Sequence, residues 1–354
     1  MGATAGDGSH VAINSHLLSG RAGYRSAGVH QYIYHLLQHL GQAGDNLRYT
    51  VLLGEGELPP GVTLTAIRSR WPTGRAPVRV AWEQLVQPRV LRRIGADLVH
   101  GPVFVAPLIS HCPTVVTIHD LSFIRFPALF RPANRLYLTV LARLSAQRAR
   151  RLIAVSAHAA SEGADLLGVP RERIDVVYHG VDPAFRPLPP DEVAAFRQRC
   201  QLPERFALFV GTLEPRKNLV RLVEALGLEG EVVFPGYVSS GELPLWYNAA
   251  AVFVYPSLYE GFGLPVLEAQ ACGTPVLTTD ASSLPEAAGD GALLVDPYDV
   301  DALAEGLSRL LVDASLRHHV RDRGMAHATR FSWTRMALET AGVYRRALAK
   351  GGET

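Results

Sequence analysis

The stretch VYPSLYEGFGLPVLEAQACGTPVLTTD, residues 254–280, decides the fold and points at the chemistry. Its approach, AVFVYPS (251–257), reads as a short buried strand, an apolar run closed by Pro256 and Ser257. EGFG (260–263) reads as a tight loop in which Gly261 and Gly263 let the backbone turn and leave its amides open to a ligand. Pro265 suits the first turn of a helix, where the N–H it lacks would be unpaired anyway. That helix carries Glu268, runs to about Cys272 and stops at Gly273. A helix N-terminus beside a strand end is a ready anion site. Glu260 and Glu268, with seven residues between them, flank it, and carboxylates accept hydrogen bonds from hydroxyls such as those of a sugar and a ribose. A surface turn with two solvated acids explains either glutamate alone but not the whole string.

Working outward, HVAINSHLL (10–18), RYTVLLG, ADLVHGP, TVVTIHD, RLIAVS and IDVVYHG are strand-like, with helical stretches between several of them. The βαβα alternation implies a parallel sheet with helices on both faces. A loop with Gly20, Gly23 and Gly28 follows the first strand and leads into the helix VHQYIYHLLQHLGQ. VDPAFRPLPPDE (181–192) is a Pro-rich mid-chain connector and reads as the interdomain linker. A second series runs from FALFVG (206–211) to GALLVDP (291–297), with amphipathic helices closing the chain. The 354 residues are too many for one ordinary core and suit two domains.

Composition narrows the class. A hydrophobic fraction of 48% with 19% charged residues describes a folded α/β protein, and a net charge of +2 gives no global field for nucleic acid. Cys112, Cys200 and Cys272 form no C-x-x-C pair, which favours a reducing cytoplasm over disulfides or structural zinc. MGATAGDGSH lacks the basic start and apolar core of a signal peptide, and no apolar run approaches the ~18–20 residues of a membrane span.

The 254–280 string, GTLEPRKNLVRLVEAL (211–226), TIHDLSF (117–123), AVSAHAASE (154–162) and YHGVD (178–182) together resemble the retaining glycosyltransferases of glycosyltransferase family four. These are bacterial mannosyl- and glucosyltransferases with an E-x7-E signature. The resemblance covers nearly the whole chain in the expected order. It implies an α/β protein of the GT-B fold, two Rossmann-like domains facing a cleft: an acceptor domain over 1–184, a nucleotide-sugar domain over 191–330, and a last helix, 331–354, returning to the first. It implies a hexosyltransferase working from a nucleotide diphosphate sugar, most similar to enzymes using GDP-mannose, with a glycan, lipid-linked or small-molecule acceptor and no cofactor or metal. One departure stands out. Family members usually place another strand and helix before the stretch matching EVVFPGYV (231–238), whereas here VEALGLEGEVVF connects almost directly. The second domain is therefore expected to be about one βα step short, with EVVFPGYV as the strand beside FALFVG.

By the same resemblance Gly211, Arg216, Lys217, Gly263 and Leu264 hold the donor diphosphate. His119, Glu260, Gly261 and Phe262 meet the donor sugar, with His119 and Glu260 closest to the chemistry, and Glu268 binds the ribose. Two cations and backbone amides can neutralise a leaving diphosphate without a metal ion. Asp299-Val300-Asp301 has the spacing of a metal-binding D-x-D, but it opens a helix, where Asp299 reads as an N-cap. Ser156 likewise reads as a cap, and Asp120 either orients His119 or caps the following turn. Gly28 matches the family's N-terminal glycine loop near acceptor and diphosphate, without the usual Gly-Gly pair.

Between Arg68 and Arg93 lie seven arginines and one acid, Glu83, with Trp71 and Trp82 among them. Two readings stay open: a solvated basic face, or a peripheral contact with an anionic lipid surface. Two other functions also fit the string: a nucleotide-sugar epimerase of the same fold, and a non-catalytic sugar-nucleotide-binding subunit.

Overall fold

The computed structural model describes residues 8–18, 28–41, 46–227 and 230–349; residues 1–7 and the loop glycines Gly20 and Gly23 lie outside the described residues. The chain divides into two compact units, one ending at Tyr178 and taking in the helix from Trp333, the other running from His179 to Ser332.

The first unit is built on β1 (His10–Ser15), β2 (Arg48–Leu53), β3 (Thr65–Arg68), β4 (Leu98–Gly101), β5 (Thr114–Ile118), β6 (Arg151–Ala154) and β7 (Ile174–Val176). They lie in the order β3-β2-β1-β4-β5-β6-β7, every pair parallel, with Ala12 opposite Thr50 on one side and Val99 on the other. Val11, Ile13, Leu98, Val99, Val116 and Leu152 are fully buried, as strands covered on both faces require. The edge strand β3 was not anticipated; Thr65, Ala66 and Arg68 are exposed, so it lacks the apolar run that marks a buried strand. Strand order reverses between β1 and β4, and the crevice beyond their carboxyl ends is where such sheets bind ligands.

The helix Trp333–Leu348 is part of this unit. Tyr344 Oη lies 2.7 Å from His100 Nδ1, whose Nε2 lies 2.8 Å from Thr117 Oγ1, so one buried chain of polar groups ties the helix to β4 and β5. The Trp333 ring stacks on His35 at 4.4 Å, and Arg346 donates to Asp175 at 2.9 Å.

The arginine-rich stretch forms a helix in three parts: Ala76–Ala81, a π-helical turn over Trp82–Val86, and Gln87–Ile94. Pro88 is the physical cause of the wide turn. It has no N–H, and its ring would clash with the Gln84 carbonyl in a regular helix. The extra residue turns two consecutive side chains, Trp82 and Glu83, inward; they are 3% and 6% exposed.

The second unit holds β8 (Ala207–Leu208), β9 (Val252–Tyr255), β10 (Val276–Thr279) and β11 (Leu293–Val295), parallel throughout, in the order β11-β10-β9-β8. The expectation for EVVFPGYV is overturned. No strand forms over 231–238, and Val233, Phe234 and Tyr237 are exposed. Pro235 has no N–H for a ladder and Gly236 sits at φ 84°, so the run is broken where pairing would be needed. Among the described residues β8 is thus the edge, and it keeps only two paired positions. The Pro-rich stretch is also not a free linker, because the second unit holds it. Phe185 packs on Tyr247 at 5.8 Å, Leu188 N donates to Asn248 Oδ1 at 2.9 Å, and Asn248 Nδ2 donates to the Arg186 carbonyl at 3.0 Å.

Candidate functional site

In the second unit the carboxyl edge of β9 leads through residues 256–263 into the helix Leu264–Ala271. Gly263 caps that helix at φ 113°, a region closed to side chains, and an added Cβ would also meet Leu284 Cδ2 at 3.0 Å. Any residue but glycine would therefore push the loop off the helix it starts. Arg216 and Lys217 come from a separate turn, Pro215–Lys217, that ends at Asn218 with φ 62° before the helix Leu219–Leu226.

The two segments meet on Glu260. Lys217 Nζ donates to Glu260 Oε1 at 2.6 Å and to Tyr255 Oη at 2.7 Å. Arg216 Nη1 donates to Glu260 Oε2 and to the Tyr259 carbonyl, each at 3.1 Å, while its Nε donates to Glu214 Oε2 at 2.7 Å. The loop itself is pinned from below: Ser282, at φ 53°, accepts from the Glu260 amide at 2.9 Å, and Ser283 Oγ lies 2.9 Å from the carbonyls of Glu260 and Phe262. Burial by itself would raise the Glu260 carboxyl, but the Lys217 and Arg216 charges outweigh it and hold the group below the usual carboxylate range. Glu260 is therefore an anion clamped between two cations.

Glu268 has a different character. It accepts from Tyr247 Oη at 2.8 Å, and burial pushes its carboxyl up to about 7, with the negative charge of Asp182 adding to the effect. Two carboxyls, one in the loop and one about a turn into the helix that follows it, are thus set to different protonation states, a pattern that separates roles at a site.

The remaining expected residues fall as follows. Gly211 is exposed after β8, and Leu264 is half-buried at the first helical position. Gly261 is half-buried, whereas the Phe262 ring is packed near His179 at 5.3 Å and Phe331 at 5.9 Å, which leaves only its backbone to meet a sugar. In the first unit His119 is 7% exposed, with Nε2 donating to the Pro102 carbonyl at 2.8 Å and its ring against Tyr32. Burial holds its pKa below the ordinary value, so the imidazole stays neutral. Asp120 spends its Oδ1 on the Ser122 amide and hydroxyl, at 2.9 and 2.6 Å, and so caps the following turn. Gly28 is an exposed N-cap at φ 44° for the helix Val29–Leu40. Asp299 accepts from Ala302 N, and Ser156 from Ala159 N, both as helix caps at 2.9 Å.

Sequence reasoning treated Arg216 and Lys217 as phosphate ligands and Glu260 as a sugar ligand, and did not foresee that they bond to one another. It also missed Glu214, Tyr247, Tyr255, Ser282 and Ser283. Tyr255 and Ser283 carried no usable signal, because a strand tyrosine and a loop serine are common everywhere. Glu214 lies beside the cations in GTLEPRKN and was open to notice.

The two parallel α/β units are those of the GT-B glycosyltransferase fold. Sucrose-phosphate synthase from Thermosynechococcus elongatus superposes with a TM-score of 0.75 at 21% identity, over 96% of this chain and 99% of that one. HepE from Anabaena, solved in complex with UDP and glucose, superposes with a TM-score of 0.73 at 19% identity, over 96% of this chain and all of that one. Residues 26–185 match the family described as Glycosyltransferase Family 4, and residues 192–327 that described as Glycosyl transferases group 1. The O-antigen chain mannosyltransferase B of Escherichia coli is 34% identical over 310 residues, covering 77% of this chain and 81% of the relative. The chain belongs to this glycosyltransferase family and is a transferase of that kind. Among the described residues no helix is long and apolar enough to cross a membrane.

Proposed function

We propose that the protein is a retaining hexosyltransferase that moves mannose from GDP-mannose to a glycan acceptor, without a metal ion. The observation that carries this is the cluster in which Lys217 and Arg216, from the turn Pro215–Lys217, close on Glu260 in the loop before the helix Leu264–Ala271. Two cations beside a helix N-terminus suit a diphosphate whose charge grows as it leaves. Lys217 has three N–H donors and two described bonds, so one remains for a phosphate oxygen. Glu260 would accept hydroxyls of the hexose, and Glu268 the ribose. Gly211, Gly263 and Leu264 would lend backbone to the diphosphate, Gly261 and Phe262 backbone to the sugar, and His119 a hydrogen bond to the same sugar. Configuration is kept if the acceptor hydroxyl attacks the face from which the diphosphate departs, the phosphate taking its proton; no enzyme nucleophile is then needed. The choice of mannose, and of a polysaccharide product, is supported by the name of the 34%-identical relative.

A thermal-shift panel of nucleotide sugars tests the donor, since ligand binding raises apparent stability with occupancy. GDP-mannose is expected to give the largest shift; a larger one with a UDP-sugar replaces it. Incubation with donor alone and then with glycans separates transfer from isomerised donor or binding alone. Transfer is also expected to continue undiminished in excess EDTA, because Arg216 and Lys217 supply the counter-charge. Loss of activity restored by Mg²⁺ or Mn²⁺ would refute that.

The basic stretch yields a further expectation. Arg68, Arg70 and Arg75 are exposed, close to a Trp71 that is 42% exposed, whereas Arg79 is half-buried and faces Glu83. Only the first three can meet a lipid surface. At ~1 kcal/mol per cation, removing them together is expected to weaken binding to anionic vesicles about 100-fold at low salt. A wild type that ignores such vesicles makes the stretch a solvated face.

A further inference from the structure

Of the chain's 35 lysine and arginine side chains only Lys217 and Lys350 are lysines, and the donor cluster holds the first of them. The two kinds of cation are not interchangeable. A guanidinium is a planar fork, whereas an ammonium is a compact charge with three donors on a flexible stem. Such a charge serves a reacting centre well only when its stem is held in place. Glu260 Oε1 takes one donor of Lys217 at 2.6 Å, and the Tyr255 hydroxyl takes a second at 2.7 Å. Fixing two donors of a tetrahedral ammonium fixes the direction of the third.

Tyr255 is rigid enough to do this. It ends β9, is 2% exposed, and its ring stacks with those of Phe209 and Phe253, each at 5.7 Å. Its carbonyl accepts from Thr278 Oγ1 at 2.8 Å, so the close-packed phenol has no room to swing. The hydroxyl is also neutral, because burial and the Glu260 charge hold it well above its ordinary value. Neutrality matters at this point. Arg216 and Lys217 already face Glu260 and Glu214, two cations against two carboxylates. A third anion would make the cluster net negative and repel a diphosphate, whereas a hydroxyl aligns the ammonium without cancelling its charge.

We propose that Tyr255 is a positioning residue for the donor diphosphate, its hydroxyl aiming the third N–H of Lys217 at a phosphate oxygen. Glu260 fixes the same ammonium but competes with phosphate for its charge; Tyr255 does not compete. The role toward the diphosphate rests on the transferase reading above, and the hold on the ammonium does not.

The test uses the full-length protein, with GDP and UDP as probes in calorimetry and lysine-selective NMR for the ammonium. A Lys350→Arg background leaves Lys217 as the sole lysine signal. Tyr255→Phe removes one oxygen and keeps the ring. It is expected to weaken nucleotide binding about 10-fold, the worth of one hydrogen bond to a charged group. In Lys217→Met the same change should cost no further affinity, since the group it positions is gone. The ammonium gives a second readout. Burial already holds Lys217 below the ordinary lysine value, against the pull of Glu260. Without the hydroxyl it should titrate about one pH unit lower, and the alkaline limb of the transfer rate should move with it. The other charged groups that face Lys217 are Glu260, Arg216 and Glu214, and all three keep their charges on that alkaline side. The wild type adds a readout that needs no variant: nitrogen relaxation at Lys217 Nζ should show a stem as ordered as the backbone.

The proposal is overturned if that stem is as mobile as an exposed lysine, or if Tyr255→Phe leaves the nucleotide affinity or the Lys217 titration unchanged. It is also overturned if the loss of affinity persists undiminished in Lys217→Met, which would mark a merely structural role. A wild type that binds neither nucleotide rejects the donor reading, while a lowered Lys217 titration in Tyr255→Phe would still uphold the hold on the ammonium.

Discussion

Glu260→Ala is expected to abolish sugar transfer and to destabilise the second unit while sparing affinity for the free nucleotide. Lys217 is 5% exposed, and its ammonium bonds Glu260 at 2.6 Å and the Tyr255 hydroxyl. Removing the carboxylate leaves that cation buried with no counter-charge at hydrogen-bond distance. Breaking a buried pair in this way costs ~3–5 kcal/mol, which corresponds to a fall in Tm of roughly 10 °C for a domain of this size. Transfer should fall at least ~100-fold, the usual cost of losing one aligned polar group at a reacting centre. Affinity for GDP should hold or rise, because Arg216 and Lys217 no longer have a competitor for phosphate. Lys217→Met in the same chain should recover part of the lost stability, since the orphaned charge is gone. Additive melting shifts in the double variant, or an unchanged Tm in Glu260→Ala, would show that the pair is not the buried clamp described here.

Glu268→Ala is expected to do the reverse, weakening nucleotide-sugar binding about 10- to 100-fold, the worth of hydrogen bonds to a charged group. The wild type should also bind the nucleotide sugar more tightly as pH rises from about 6 to 8. The Glu268 carboxyl titrates near 7, and ribose hydroxyls donate best to its ionised form. The groups that face it are the Tyr247 hydroxyl, Asp182 and the Cys272 thiol; burial pushes Tyr247 and Cys272 far up, so neither titrates in this window. The intact sugar nucleotide is the correct probe, because a free terminal phosphate changes charge near pH 6. Glu268→Gln should flatten the dependence. The same shift has a stability signature of opposite sign. With a native value of about 7 against 4.5, the folded state holds the proton longer, so this stabilisation is full below about 4.5 and is lost as pH rises to about 7. The loss is on the order of 3 kcal/mol. Glu83 adds a parallel loss in the first unit, and buried His16, pushed down to about 4, adds one of the other sign on acidification. The comparison of wild type with Glu268→Gln isolates the carboxyl in question. Equal losses of nucleotide affinity in Glu260→Ala and Glu268→Ala would collapse the division of labour between them.

Much of this is legible in the sequence. The strand and helix sequence of both units follows from apolar runs and glycine punctuation, because fully buried parallel strands must be apolar on both faces. The turn at 260–263 and the caps at Ser156 and Asp299 are local events, decided within a few residues by backbone sterics and hydrogen-bond reach. The misreadings were of two kinds. EVVFPGYV has the composition of a strand, but a strand needs a partner and an unbroken row of donors, and Pro235 with Gly236 removes the second. The stretch 181–192 looks like a linker, yet Phe185 and Asn248 fasten it to one unit through residues some sixty positions apart.

The sequence by itself therefore determined the class: two parallel α/β units, a strand–glycine turn–helix corner, and two carboxyls seven residues apart across it. Only the tertiary structure decided what those groups are. Glu260 is an anion because Arg216 and Lys217, 44 and 43 positions away in the chain, close on it, and Glu268 sits near neutrality because burial outweighs its single tyrosine bond. Glu83 shows the same division. Pro88 in the sequence makes the wide turn, but whether the carboxyl it turns inward meets a partner depended on Asn14, contributed by a different strand. Spacing along a chain sets local conformation through sterics, whereas charge state depends on which distant groups displace water around a side chain, and no local pattern records that.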